Sequence, residues 1–318
     1  MLNFHPITLD DKATVDALIC ASGCHGADYS FANLYIWKHA YNPEICEVGG
    51  RIIVSTPGAN VYSYPKGGGD QRPSMDAIIE HARERGQRLV IRGLTDRTLE
   101  EFLADYGERF DIIDDRDNAD YIYSTEKLRY LAGRKLSSKR NHIKHFERNG
   151  GWELRAINCG DCGEFSGFTD SDGKPITCAS IDDARSFVRL FYEEKDDPEL
   201  EEETLAIESM FRHFRELGFT GALLYQNGEP VAFTAATRLG EAVMDVHFEK
   251  ALPGVEGAYT MINREFVNLI AQRYPEIEFF NREEDMGIEG LRKAKESYRP
   301  DMLLMKYIAI EKEGTRDA

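Results

Sequence analysis

The chain is 318 residues long, 42% hydrophobic and 30% charged, with a formal net charge of −17 at pH 7. That length favours two cores over one, and the composition excludes a disordered or low-complexity chain. No run approaches the roughly 20 apolar residues needed to span a bilayer, and the acidic balance disfavours nonspecific binding of nucleic acid by the surface as a whole.

The N-terminus, Met1-Leu-Asn-Phe-His-Pro6, has neither the basic nor the apolar region of a signal peptide, so a cytoplasmic location is expected. Helices are predicted over 11–20, 73–86 and 95–106, with strands over 44–55, 60–64 and 89–91 between them. The second of these helices carries Met75, Ile78, Ile79 and Ala82 on one face. The strand at 121–123 leads into a basic segment, where eight Lys and Arg residues from Lys127 to Arg148 face the lone acid Glu147. Within it, Ser137 and Ser138 cap a helix that ends at Asn149-Gly-Gly151.

Residues 158–175 are rich in Gly, Ser, Asp and Cys and read as a linker, dividing the chain into 1–157 and 176–318. The linker holds one CxxC, Cys159 and Cys162. A zinc site usually needs two such half-sites, so a turn is expected there and no metal.

Beyond the linker, a helix ending near Gly218 precedes two strands around Asn227-Gly228, a strong hairpin signal. A third strand follows at 242–249. Pro253-Gly-Val-Glu-Gly-Ala-Tyr259 then opens a helix whose inner face is Tyr259, Ile262, Phe266, Leu269 and Ile270. A strand at 277–280, a helix at 291–298 and a strand at 302–310 complete the chain.

A glycine turn between a strand and a helix exposes backbone N–H groups and the positive end of the helix dipole, which suits a phosphate. Gly254, Val255, Gly257, Ala258 and Tyr259 are the candidate donor-binding residues, although an ordinary turn uses glycine in the same way. With three antiparallel strands before the turn, this order resembles the GNAT superfamily of N-acyltransferases. There the turn holds a pyrophosphate, and an Asn after the next strand and a Tyr on the last helix serve the donor, which implies Asn281 and Tyr298 here. The loop departs from the usual Q/R-x-x-G-x-G/A at Pro253 and Glu256.

A further resemblance covers most of the chain. Ser137-Ser-Lys-Arg-Asn-His-Ile-Lys-His-Phe146, Gly257-Ala-Tyr-Thr-Met-Ile-Asn263 and Asn281-Arg-Glu-Glu-Asp-Met-Gly287 resemble the DUF2156 family, which is similar to the C-terminal domain of phosphatidylglycerol lysyltransferases. The resemblance implies an α/β (α+β) chain of two tandem GNAT-like folds. It also implies an aminoacyl-tRNA donor.

Acyl transfer needs a base, an oxyanion donor and an acid. Period-two alternation puts Asp245, His247 and Glu249 on one strand face. Glu249 or His247 is the expected base, Tyr298 the acid, and Asn281 a donor contact. Asp245, Glu283 and Asp285 are the expected partners of a cationic substrate, as the resemblance suggests. Lys139, Arg140 and Lys144 on the basic helix are expected to meet tRNA phosphates, or else to be neutralised by the acidic second half.

The leading expectation is therefore aminoacyl transfer from aminoacyl-tRNA to an amine or hydroxyl, on a small molecule or a lipid headgroup. One alternative is an acyl-CoA-dependent N-acetyltransferase. The other is a noncatalytic ligand-binding module on a degenerate GNAT fold.

Overall fold

The computed structural model describes residues 2–58, 60–157, 162–193 and 199–314. Of the expected CxxC turn, Cys159 and the side chain of Cys162 lie outside the described residues. No described helix is long and apolar enough to cross a membrane.

The chain is mixed α/β, with two mixed sheets flanked by helices. One compact unit comprises Met1–Tyr121, Glu283–Arg292 and Met302–Ala318, the other Ile122–Arg282 and Lys293–Asp301. This differs from the division expected at 158–175. Strand Trp152–Ile157 pairs with Thr220–Gln226 in the second unit, so the chain is already committed to that unit before the glycine-rich stretch. The final strand Lys306–Glu311 goes the other way, pairing with Val90–Thr95 and Phe110–Asp114 of the first unit.

In the first unit the strands run in the order His5–Pro6, Glu44–Val48, Arg51–Thr56, Val61–Ser63, Val90–Thr95, Lys306–Glu311, Phe110–Asp114. Among the described residues, only the contact of Val61–Ser63 with Val90–Thr95 is parallel. The run read as one strand over 44–55 is a hairpin. Val48 pairs with Arg51 across Gly49 and Gly50, whose φ angles of 59° and 74° suit a two-residue turn. Helix Arg72–Glu84 has Pro73 in its first turn and buries Met75, Ile78, Ile79 and Ala82, the face its spacing predicts. These residues join Ile91, Leu94, Phe102, Phe110 and Ala309 in one core.

The second unit's sheet runs Thr177–Ala179, Trp152–Ile157, Thr220–Gln226, Glu229–Leu239, Val243–Ala251, Phe279–Asn281 and then residues 122–124 of Asp120–Ser124. Helix Ala258–Arg273 packs on its three central strands and buries Met261, Ile262, Phe266, Leu269 and Ile270. Ring and aliphatic areas of this kind contribute about 1.5–3 kcal/mol for each fully buried side chain. Tyr259 is the exception to the expected inner face, at 41% exposure. It lies in the first helical turn, and its hydroxyl donates to the carbonyl of Glu249.

Candidate functional site

Two features of the strand Val243–Ala251 create the site. First, it pairs in parallel with Phe279–Asn281 only through Val243, Met244 and Asp245. Among the described residues, Val246–Ala251 continue with no paired strand on that side. Second, the register against Glu229–Leu239 shifts, Ala235 facing Phe248 and Ala236 facing Val246, which leaves His247 as the extra residue of a bulge.

The bulge overturns the expectation that Asp245, His247 and Glu249 share a face. Asp245 pairs with Thr237 and Glu249 with Thr234. Those two threonines are three apart in a regularly paired stretch of their strand, so they point to opposite sides. His247 stays with Asp245. Its Nε2 lies 2.8 Å from Thr237 Oγ1 and 3.7 Å from Asp245 Oδ2, and its ring meets Phe219 edge-on at 5.1 Å. Its side chain is only 1% exposed and lies between Thr237, Asp245 and Phe219. The buried residue Asn281 pairs with Asp245 and lies on that same side.

Glu249 and the residue after Asn281 occupy the other face. Arg282 Nη2 donates to Glu249 Oε1 at 2.7 Å, and Asn263 Nδ2 donates to Glu249 Oε2 at 2.9 Å. Both carboxylate oxygens are therefore engaged, and the ion pair is nearly sealed, with side chains 8% and 5% exposed. Burial penalises the Arg282 charge. The Glu249 carboxylate and the rings of Tyr123, Tyr298 and Tyr259 outweigh that penalty and hold its pKa above the usual arginine value. Arg282 Nη1 is buried and has no hydrogen-bond partner among the described residues.

Tyr298 completes the floor. Arg282 lies against its ring at 4.8 Å and Lys139 Nζ at 3.9 Å. Burial pushes the Tyr298 hydroxyl up to about 12, with Glu249 adding to the rise and Arg282 opposing it. The buried hydroxyl makes no hydrogen bond of good geometry among the described residues. Lys139, from helix Ser137–Arg148, titrates at about 8. Partial burial and the nearby Arg282 charge lower it, against an upward pull from Glu249. Lys139 turns toward the Arg282–Glu249 pair.

The remaining basic residues separate. Arg140 donates through Nη1 to the carbonyls of Leu131 and Gly133, the latter at 2.8 Å. Lys144 stays exposed on the same helix. Lys127 bonds Asp301 Oδ1 at 2.5 Å and the Arg299 carbonyl at 2.7 Å.

The glycine turn is only partly available to a donor. The amides of Val255 and Ala258 close tight turns onto the carbonyls of Leu252 and Val255. Gly257, at φ 86°, presses against helix Ser137–Arg148 so closely that a Cβ would lie 2.3 Å from the His142 carbonyl oxygen. His145 and Glu256 approach at 3.5 Å across the same contact. The glycine there is required by packing, while Gly254 stays exposed.

Glu283 and Asp285 belong to the first unit. Glu283 accepts from Asn33 Nδ2 at 3.0 Å. Asp285 is fully buried and accepts from Arg292 Nη2 at 2.7 Å, Tyr121 at 2.5 Å, Arg116 at 3.1 Å and the Gly287 amide at 2.9 Å. Burial alone would raise its pKa, but these donors hold it well below the usual carboxylate range. A carboxylate so fully committed cannot bind a substrate ammonium, which corrects that expectation.

Arg282 and Asn263 were not anticipated, although both had signals. A residue following Asn281 in a strand must face the other way. Asn263 lies one helical turn after Tyr259 and shares its face.

A family model described as phosphatidylglycerol lysyltransferase, C-terminal, matches residues 22–160 and 171–310. Among solved structures, a conserved protein of unknown function from Bacteroides thetaiotaomicron VPI-5482 is 32% identical, with a TM-score of 0.84 over 98% of this chain and 100% of that one. The C-terminal DUF2156 domain of an Agrobacterium fabrum protein assigned as a lysylphosphatidylglycerol synthetase is 13% identical, with a TM-score of 0.61 over 97% and 94%. L-PGS from Bacillus licheniformis is 14% identical, with a TM-score of 0.54 over 86% and 81%. No curated protein sequence matches the chain. The family match places the chain, at the level of family, with acyl- and aminoacyl-group transferases.

Proposed function

We propose, from the premise that the chain belongs to the phosphatidylglycerol lysyltransferase C-terminal family, that its second unit transfers an aminoacyl group from an aminoacyl-tRNA ester to a hydroxyl or amine acceptor. The observation that carries this reading is Arg282. It is a nearly sealed guanidinium fixed by Glu249, with one nitrogen unpartnered among the described residues, beside an amine that burial lowers to about 8.

In this reading the neutral amine of Lys139 takes the proton of the acceptor as it attacks the ester carbonyl. Arg282 Nη1 and the Tyr298 hydroxyl donate to the oxyanion, for which a buried, pre-oriented donor is most effective. The new bond to the acceptor forms, the bond to the ribose oxygen breaks, and Lys139 returns the proton to that oxygen. Glu249 is a positioning residue, because both of its oxygens already hold Arg282 and Asn263. The internally bonded amides at Val255 and Ala258 and the acid at Glu256 weigh against a coenzyme A pyrophosphate in the turn.

The test supplies the purified chain with labelled aminoacyl-tRNA, and separately with acetyl-CoA. Small amines and vesicles containing phosphatidylglycerol serve as acceptors. Label leaving the tRNA for an acceptor is expected, with a roughly 10²- to 10⁴-fold loss in Lys139→Met. Turnover with acetyl-CoA alone, or with neither donor, overturns the proposal.

A further inference from the structure

A second recess in the same unit, of about 490 Å³, lies between helix Ser137–Arg148, helix Ala258–Arg273 and the loop at 169–171. None of the residues of the transfer site lines it. Its volume falls in the range of small-molecule sites.

The polar wall is built in advance. Gln272 clamps the loop to the helix, accepting from the Thr169 amide at 3.1 Å and donating to the Thr169 carbonyl at 2.8 Å. The Ser171 amide donates to Glu265 Oε2 at 2.9 Å, and Arg264 Nη2 donates to Ser171 Oγ at 3.0 Å.

The charges in the recess are unevenly spent. Its two acids are occupied: Glu147 pairs with Arg264 at 2.9 Å, and Asp170 accepts the amides of Asp172 and Lys174 within its own loop. Arg129, Arg140 and Lys144 have no carboxylate partner among the described residues. Arg129 Nε donates to the neutral Asn268 Oδ1 at 3.1 Å, and Arg140 bonds only carbonyl oxygens. In a chain of net charge −17, a recess whose lining of Arg129, Arg140, Lys144, Arg264, Glu147 and Asp170 is net +2 attracts an anion. Beside them the Tyr130 ring is 58% exposed, with the Arg129 guanidinium 5.2 Å from its centre. An exposed ring next to an arginine plane is a surface on which a flat heterocycle stacks.

We propose that this recess binds a nucleoside monophosphate unit, its phosphate held by Arg129, Arg140 and Lys144 and its base stacked on Tyr130. The unit can be a free nucleotide or the end of a single-stranded polynucleotide. Assigning it to the donor polynucleotide rests on the transfer reading above, whereas nucleotide binding itself does not.

Isothermal calorimetry on the full chain tests this with adenosine 5′-monophosphate, a three-residue oligoribonucleotide, inorganic phosphate and glycerol 3-phosphate. Saturable binding of the nucleotide or the oligonucleotide is expected. It should weaken roughly tenfold in Tyr130→Ala, from lost stacking, and lose part of its salt dependence in Lys144→Ser. Both residues are exposed, so the variants should fold. Oligonucleotide binding much tighter than mononucleotide binding identifies a polynucleotide end, and equal binding identifies a free nucleotide. Inorganic phosphate or glycerol 3-phosphate binding as well as the nucleotide overturns the proposal, as does binding that Tyr130→Ala leaves intact or that Lys139→Met abolishes. Nucleotide binding without aminoacyl transfer sinks the transfer reading and leaves this one standing. Transfer without nucleotide binding does the reverse.

Discussion

At the scale of single residues, the site turns on which groups still have capacity to react. Glu249 has none to spare, and Lys139 does. The rate of transfer should therefore rise with pH and level off above about 8, as the Lys139 ammonium loses its proton. Lys139→Arg stays protonated across that range, so a pH–rate profile of the variant should be low and lack this limb. Glu249→Gln leaves the Arg282 charge buried without its counter-ion. We expect about 3 kcal/mol of lost stability in urea unfolding, with the pH limb retained but moved below 8, because the carboxylate's upward pull on Lys139 is gone. A Glu249→Gln profile that loses that limb would make the carboxylate the base after all. Alternation marked Glu249 in advance, and the resemblance to the GNAT superfamily marked Tyr298. Which oxygens were already bonded depended on Arg282 and Asn263, and Lys139 reaches the Tyr298 ring from a helix more than 100 residues upstream.

Among elements, the bulge at His247 and the docking of helix Ser137–Arg148 do most to shape the site. A single extra residue in Val243–Ala251 moves Glu249 to the face of Arg282 and leaves His247 and Asp245 behind. Strict period two, the best guide available from sequence, fails at one inserted residue because every later side chain changes sides. The glycine turn shows the same limit. Gly254 and Gly257 were legible as a turn before a helix, but the close approach of the His142 carbonyl explains Gly257. Gly257→Ala should cost about 2–4 kcal/mol, from a Cβ in left-handed backbone and its overlap with that carbonyl. Gly254→Ala meets nothing within 4 Å and should cost only the strain at φ 85°. Thermal or urea denaturation of the pair separates these contributions, and equal losses would refute the packing account.

Over the whole molecule, the chain returns to its first unit for its last strand. Ala309, fully buried, lies in Lys306–Glu311 between Val90–Thr95 and Phe110–Asp114. Truncation after Asp301 removes that strand and exposes two sheet edges together with the core around Leu94 and Phe110. We expect hydrogen exchange in the 44–114 region to lose its protection. Protection that survives truncation would show that the first unit closes without the returning strand.

By itself the sequence determined the fold class, the helix faces, the Asn227-Gly228 hairpin and the family. These follow from local periodicity, turn chemistry and motif. The boundary of the units, the partition of the acids at 245–249 and 283–285, and the pairing of Lys139 with Tyr298 were decided only by tertiary structure. Each depends on contacts between residues far apart in the chain, where register, bulges and burial choose among groups that look equivalent in sequence.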